Sequence, residues 1–513
     1  MKARRIAVAA GAVALATAPV AFAHKPPKGP QDTGPSTSTA PYVVPVADGV
    51  GTTAILTAAD TVPNAGGPGL YKEGGIPDGL GAVRADGRRI TLLENHEWGA
   101  TQGATPRRHG QKGAYVSKYT LDRKTLDVVE GGDFINPGVQ YWDYAAGKYA
   151  AHATAPFSDA FARFCSGTLS DPGLFYDRGT HLGYKGQIYL ANEENGDNGR
   201  TFGVTEDGAA KQLPRLGLLS WENTVPAPTT DESTVVIGNE DSGTNADPTG
   251  QLWIYTGTKR SRGDAFARAG LTHGSAQVLA AGDPTVKNDI DWRARYGKGT
   301  PGRVKLAGID WRKSGAQQNA DAKASGLSLT RIEDGHWDPR HPTDYYFVTT
   351  QGGKNTTAAR DGGGLWRLRL DDVNDPEAGG ELTLLLDGSE SIGVNKPDNM
   401  SIDTHGNLLL QEDPGGNDHI ARVLAYRLST GVITTLAQFD PDLFRAGAPG
   451  LLTTDEESSG IIDTERLLGA GTFLFDAQVH KAHADPDVVE LGQLLRLQVT
   501  DWAAAYESGQ PTR

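Results

Sequence analysis

The chain has 513 residues and a formal net charge of −14, with 63 acidic against 49 basic side chains, and it contains 66 Gly, 29 Pro and a single Cys. Such an acidic chain lacks the general basic field that nucleic acid or anionic lipid would need, so neither is expected as a partner. One cysteine excludes an intrachain disulfide framework and any cysteine-rich zinc module, and the high Gly content favours loop-rich β structure over a helical bundle.

Residues 1–23 have the layout of a secretory signal: basic Lys2, Arg4 and Arg5, an apolar stretch from Ile6 to Val20, and Ala21-Phe22-Ala23 as a cleavage site. The Arg4-Arg5 pair permits twin-arginine export as well as the general secretory route. Cleavage removes three basic residues and leaves a charge of about −17. Residues 24–41 are rich in Pro, Ser, Thr and Gly and are expected to form a disordered spacer. No other stretch is apolar enough to span a bilayer, so the mature chain is expected outside the cytoplasm, without a membrane span.

From residue 42 to 513 short β patterns alternate with Gly, Asp and Asn turns. Strands are predicted at 89–94, 187–191, 233–238, 252–256, 345–350, 365–370, 382–386, 408–411, 472–477 and 494–499. Helices are predicted only at 264–269 and 500–508. One unit recurs: a strand, a tight turn and a returning strand at Val116–Val129 and again at Leu424–Leu436, with a looser copy from Leu365. This is the outer hairpin of a propeller blade, and the segment Asp398–Asp413 supplies an inner pair. Blades take roughly 40–50 residues. The predicted fold is therefore all-β, a six-bladed β-propeller with long loop insertions, in preference to a pair of β-sandwiches.

Serine-hydrolase, P-loop, zincin and EF-hand signatures are missing. Acidic clusters at strand ends remain: Glu94-Asn95-His96-Glu97, Asn192-Glu193-Glu194, Glu222, Glu240-Asp241, Arg331-Ile332-Glu333-Asp334, Glu412-Asp413 and Asp455-Glu456-Glu457. Inner propeller strands bring such ends together at a channel mouth. Converging carboxylates repel unless cations neutralise them, and hard oxygen ligands suit calcium or ferric iron. Cys165 is open to two readings, a buried small hydrophobe or a thiolate ligand to a metal such as iron. Arg331 and Glu333 share one strand face; the arginine suits a phosphate oxyanion, or a structural pair with the glutamate.

Taken in order, Asn95-His96-Glu97, Cys165-Ser166-Gly167, Glu193-Glu194, Trp221-Glu222, Arg331-Ile332-Glu333-Asp334, Pro397-Asp398-Asn399 with Asp403 and Gly406-Asn407, Glu457–Gly460, and Phe475 with Gln478-Val479-His480 resemble the PhoX-type alkaline phosphatase family. The ordered set covers about residues 90–485. The resemblance implies a secreted phosphomonoesterase with a small phosphate-ester substrate, acting as a monomer, and a cofactor cluster of Fe3+ and Ca2+. It implies Cys165, Glu194, Glu222 and Glu333 as metal ligands, Glu457 and Asn95 in the metal shell, and Arg331 on the phosphate. The cysteine segment lacks the Gly-Gly run of those phosphatases, and Trp221 stands where His is more usual, which marks a divergent branch. Two further readings fit the same residues. One is a non-catalytic, calcium-stabilised secreted binding propeller; the other is a calcium-dependent propeller hydrolase such as a lactonase.

Overall fold

Strand after strand pairs with its sequence neighbour in antiparallel register, as the turn-rich sequence requires. The computed structural model describes residues 29–350, 362–415 and 419–510; the signal segment 1–23 lies outside them. The predicted strands are all present, most running one to five residues further than the pattern suggests, as at Arg89–His96, Thr472–Ala482 and Glu490–Val499.

The architecture is all-β and propeller-like. Six strands occupy the centre: Pro77–Arg84, Phe164–Leu169, Trp221–Pro226, Ile332–Trp337, Pro397–Ile402 and Glu456–Asp463. Each touches the next in sequence, and the last touches the first. Outward from them, four blade-like sheets are separate: two four-stranded and two five-stranded. The third and fourth inner strands instead belong to one nine-stranded sheet, joined at its outer side by Gly302–Ile309. The pairing thus departs from six separate blades, because the insertion between residues 282 and 331 adds a strand that bridges two outer edges.

Three corrections concern the periphery. Residues 31–33, within the expected disordered spacer, pair in parallel with Thr52–Ala54; polar composition did not prevent backbone pairing to a free sheet edge. Helices also form at Asp289–Arg295 and Gly315–Ser325, neither of which was predicted. The second is polar on nearly every face, so it lacks the apolar stripe by which a helix is recognised. Among the described residues no helix is long and apolar enough to cross a membrane.

The first strand of the ring's last sheet comes from the opposite end of the chain. Val50–Thr57 pairs antiparallel with Glu490–Val499, and so the two chain ends close the ring together. Buried aliphatic and aromatic side chains, Trp98, Trp221, Trp253, Trp292 and Trp366 among them, fill the space between sheets. Polar side chains are buried as well, among them Asp78, Glu222, Glu333, Asp398 and Glu457 where inner strands begin.

Candidate metal centre

All six inner strands carry a register irregularity, and in five of them it falls within the first residues: Pro77/Leu80, Phe164/Gly167, Trp221/Asn223, Ile332/Gly335 and Pro397/Met400. A bulge leaves a residue out of the ladder and re-aims its side chain. The residues so released are Asp78, Cys165 with Ser166, Glu222, Glu333 with Asp334, and Asp398 with Asn399. Four of these strands are entered through a non-glycine residue in the left-handed region: Ile76 (φ 51°), Arg163 (φ 50°), Arg331 (φ 54°) and Lys396 (φ 47°). Such a conformation costs of order 1–3 kcal/mol each and persists only where the surroundings enforce it.

Together with Glu97 and Glu194, which follow the strands Arg89–His96 and Ile188–Glu193, the released side chains form three overlapping groups, each with one ligand atom per residue within 4.8 Å of the others: Asp78, Glu97 and Cys165; Cys165, Glu194 and Glu222; Glu222, Glu333 and Asp398. Cys165 joins the first group to the second, and Glu222 joins the second to the third. The Cys165 thiol donates to Asp78 Oδ2 at 3.2 Å, and the Ser166 hydroxyl to Glu222 Oε1 at 2.6 Å. The Gln478 amide Nε2 donates to both Asp78 Oδ2 (3.3 Å) and Glu97 Oε2 (3.2 Å), and Asn399 donates to Ser166 Oγ at 2.6 Å.

Two arginines pair with acids at this line. Arg163 pairs with Glu97 at 2.5 Å and with Glu194. Arg331 forms a two-pronged pair with Asp241 (2.9 and 2.7 Å) and lies 3.4 Å from Glu333. Both reach solvent, their side chains 49% and 30% exposed.

The electrostatics are those of charges removed from water. Burial raises the carboxyls of Asp78, Glu194, Glu222, Glu333 and Asp398 well above the ordinary range. Repulsion adds to it: Glu457 acts on Asp78, Glu333 on Glu222 and Asp398, and Asp241 on Glu333. Burial, then Asp78 and Glu222, pushes the Cys165 thiol up likewise. Glu333 Oε1 has no hydrogen-bond donor among the described residues. Two guanidinium groups do not neutralise six acids, whereas polyvalent cations would, and the donor set of one sulfur and many carboxylate oxygens fits iron together with calcium.

Each predicted site residue has a definite place. Cys165, Glu194 and Glu222 share one group, and Glu333 is in the next. The Glu193-Glu194 pair divides its work: both oxygens of Glu193 are taken by Arg200 at 2.6 and 2.7 Å, which leaves Glu194 to face the sulfur. Glu457 accepts from Ser459 Oγ at 2.6 Å and lies 3.7 Å from His480, at the edge of the cluster. Asn95 departs from its expected role. Its amide donates to the Cys165 carbonyl at 2.7 Å and its oxygen accepts from the Tyr189 hydroxyl at 2.9 Å, so it braces the strand that carries the sulfur.

Asp78 and Arg163 belong to the site and were not singled out from sequence; Glu97 and Asp398 stood in named motifs but were given no ligand role. A signal for two of them existed: Ile76-Pro77-Asp78-Gly79 repeats as Lys396-Pro397-Asp398-Asn399, each at the entry of an inner strand.

The fold defined by these strands is that of a propeller-like, all-β protein with its polar cluster at the strand entries. Among solved structures, PhoX of Pseudomonas fluorescens, determined in complex with vanadate as a transition-state analogue, superposes with a TM-score of 0.57 over 91% of this chain and 99% of that one, at 14% identity. The likeness establishes a PhoX-like fold. Hydrazine synthase of Kuenenia stuttgartiensis is a more distant match, with a TM-score of 0.33. No protein-family model and no curated protein sequence matches the chain.

Proposed function

We propose that the protein is an exported, metal-dependent phosphomonoesterase of the PhoX type, on a ring best counted as six blades with two of them fused through Gly302–Ile309. The observation that carries this reading is the continuous run of donors through Cys165 and Glu222, three groups sharing members. A solitary ion needs one group; linked groups suit a polynuclear centre. The likeness of fold to a protein that binds vanadate supports it.

Cys165, Glu194, Glu222 and Glu333, joined by Asp78, Glu97 and Asp398, would hold Fe3+ and Ca2+, with Glu457 at the margin. Bound there, these ions supply Lewis-acid neutralisation of phosphoryl charge and activation of water. The chain's own residues position the substrate. Arg331, its guanidinium oriented by Asp241, presents donors toward solvent at one side of the cluster and would hold two phosphate oxygens in parallel hydrogen bonds. Arg163, paired with Glu97 and Glu194, adds a second guanidinium at the acids. These fixed charges need little reorganisation as negative charge builds on the phosphoryl group.

The test is p-nitrophenyl phosphate turnover at alkaline pH with calcium, alongside iron and calcium content by mass spectrometry. Expected are iron, calcium and turnover together, and loss of iron with at least 100-fold lower kcat in Cys165→Ser. A folded protein with neither iron nor turnover overturns the reading. Lactone turnover indifferent to Cys165→Ser would identify a lactonase, and calcium-dependent melting without any turnover a binding propeller.

A further inference from the structure

A second set of buried acids lies beside the candidate centre, where the first sheet of the ring meets the last; it shares no residue with the three groups there, although Asp78 acts on Asp476. Glu73 follows the hairpin Thr61–Pro63/Leu70–Lys72, Glu94 sits on Arg89–His96 opposite Leu80 and Ser117, and Asp476 sits on Thr472–Ala482 opposite Ser459. All three are at most 1% exposed. Glu73 and Asp476 each act on Glu94 at close range.

The trio has almost no compensation. Both oxygens of Glu94, both of Asp476 and Oε1 of Glu73 lack a hydrogen-bond donor among the described residues, and the buried hydroxyl of Tyr115 is also unpartnered. The Tyr119 hydroxyl donates to the other oxygen of Glu73. His96 Nε2 lies 3.8 Å from Glu94, but that nitrogen is engaged by Ser117 Oγ at 2.8 Å and Nδ1 faces the Gly75 carbonyl at 3.2 Å. Arg107 is stacked over Tyr115, 3.4 Å from the ring centroid, and directed to Asp133. No Lys or Arg is paired with Glu73, Glu94 or Asp476 among the described residues.

Buried carboxylates without countercharge cost several kcal/mol each, so such a trio must carry protons or a cation. Protons shared between Glu94 and its two neighbours, Glu73 and Asp476, would satisfy some of these oxygens, but five carboxylate oxygens from three separate segments have no other donor. Calcium takes six to eight oxygen ligands in a flexible cage, and the trio offers five free carboxylate oxygens beside the Tyr115 hydroxyl.

We propose that Glu73, Glu94 and Asp476 hold a structural calcium ion at the seam of the ring, separate from the centre around Cys165. The ion ties the N-terminal sheet to the C-terminal one. This site does not depend on the phosphatase reading.

The experiment counts metals on the full mature chain after gel filtration in calcium buffer. Glu94→Gln/Asp476→Asn is expected to bind one calcium fewer per chain than the wild type, with iron content unchanged, while Glu94→Asp and Cys165→Ser retain that ion. Calcium should raise the Tm of the wild type by several degrees more than that of the double variant. Equal calcium content in the wild type and the double variant overturns the proposal and assigns shared protons to the trio. If the double variant does not fold, wild-type crystals grown in calcium decide. Anomalous density between the three carboxylates supports the site, and its absence there overturns it.

Discussion

Arg331 is held by Asp241 before any substrate arrives, so its contribution is measured by removing the fork rather than the charge alone. Arg331→Ala is expected to lower kcat/KM for a phosphomonoester by roughly 10- to 100-fold, the effect of about 1.5–3 kcal/mol from a charged hydrogen bond. Arg331→Lys should recover only part of it, since a single ammonium cannot make the two-pronged contact. Steady-state kinetics check both. Glu240 allows a separate prediction. Burial raises its carboxyl to about 7. Its Oε2 accepts from Trp253 Nε1 (3.0 Å) and the Gln251 amide (3.0 Å), and Oε1 from Ser242. A raised folded-state value means the folded protein binds this proton more tightly. The stabilisation is complete below the ordinary 4.5 and declines as pH climbs to about 7. Glu240→Gln fits the same donors and should flatten the fall in Tm across that window in a calorimetric pH series. At this scale the sequence was informative about identity and less so about partners. The resemblance pointed to Glu194 rather than Glu193, but the reason, Arg200 occupying Glu193, lies seven residues away and out of reach of any motif. The commitment of Asn95 to a backbone carbonyl 70 residues on had no sequence signal.

The outer hairpins of the sheets were legible as elements because one face is covered and the turns are marked by Gly, Asp and Asn. Apart from Pro397–Ile402, within the segment read as an inner pair, the inner strands were not. Pro77–Arg84 and Trp221–Pro226 are buried on both faces and interrupted by bulges, so they show no alternation. The positions that matter most for chemistry are those where local patterning is weakest. Between the hairpin strands, buried ion pairs hold registers that the hydrophobic pattern leaves open. Glu412, at the end of Asn407–Glu412, is gripped by Arg422 at 2.8 and 2.6 Å and by His419 at 2.9 Å. Arg422→Met leaves that carboxylate partly uncompensated and should cost about 3–5 kcal/mol in urea denaturation. Arg422→Met combined with Glu412→Gln should restore much of the loss, because the isolated buried charge is gone.

On the scale of the whole molecule, the ring gathers acids from five of its inner strands and a thiol from the sixth, which is why the all-β architecture could be anticipated while the count of separate blades could not. Repetition was visible in the outer hairpins; the strand Gly302–Ile309 that merges two neighbours came from an insertion without repeat character. So many buried carboxylates make stability conditional on cations. Treatment with EDTA should lower Tm by 10 °C or more, and calcium should restore most of it, by mass action on the folded state. Differential scanning fluorimetry with stepwise calcium addition measures this. The closing strand has a further consequence in time. Thr53 and Arg496 lie 443 residues apart yet hydrogen-bond across the last sheet. At roughly 5–20 residues per second of synthesis, the early strand spends on the order of half a minute or more with its edge unsatisfied. A nascent chain of this design is exposed to mispairing throughout that interval, and the ring gains its final cooperativity only once the strand Glu490–Val499 has been added.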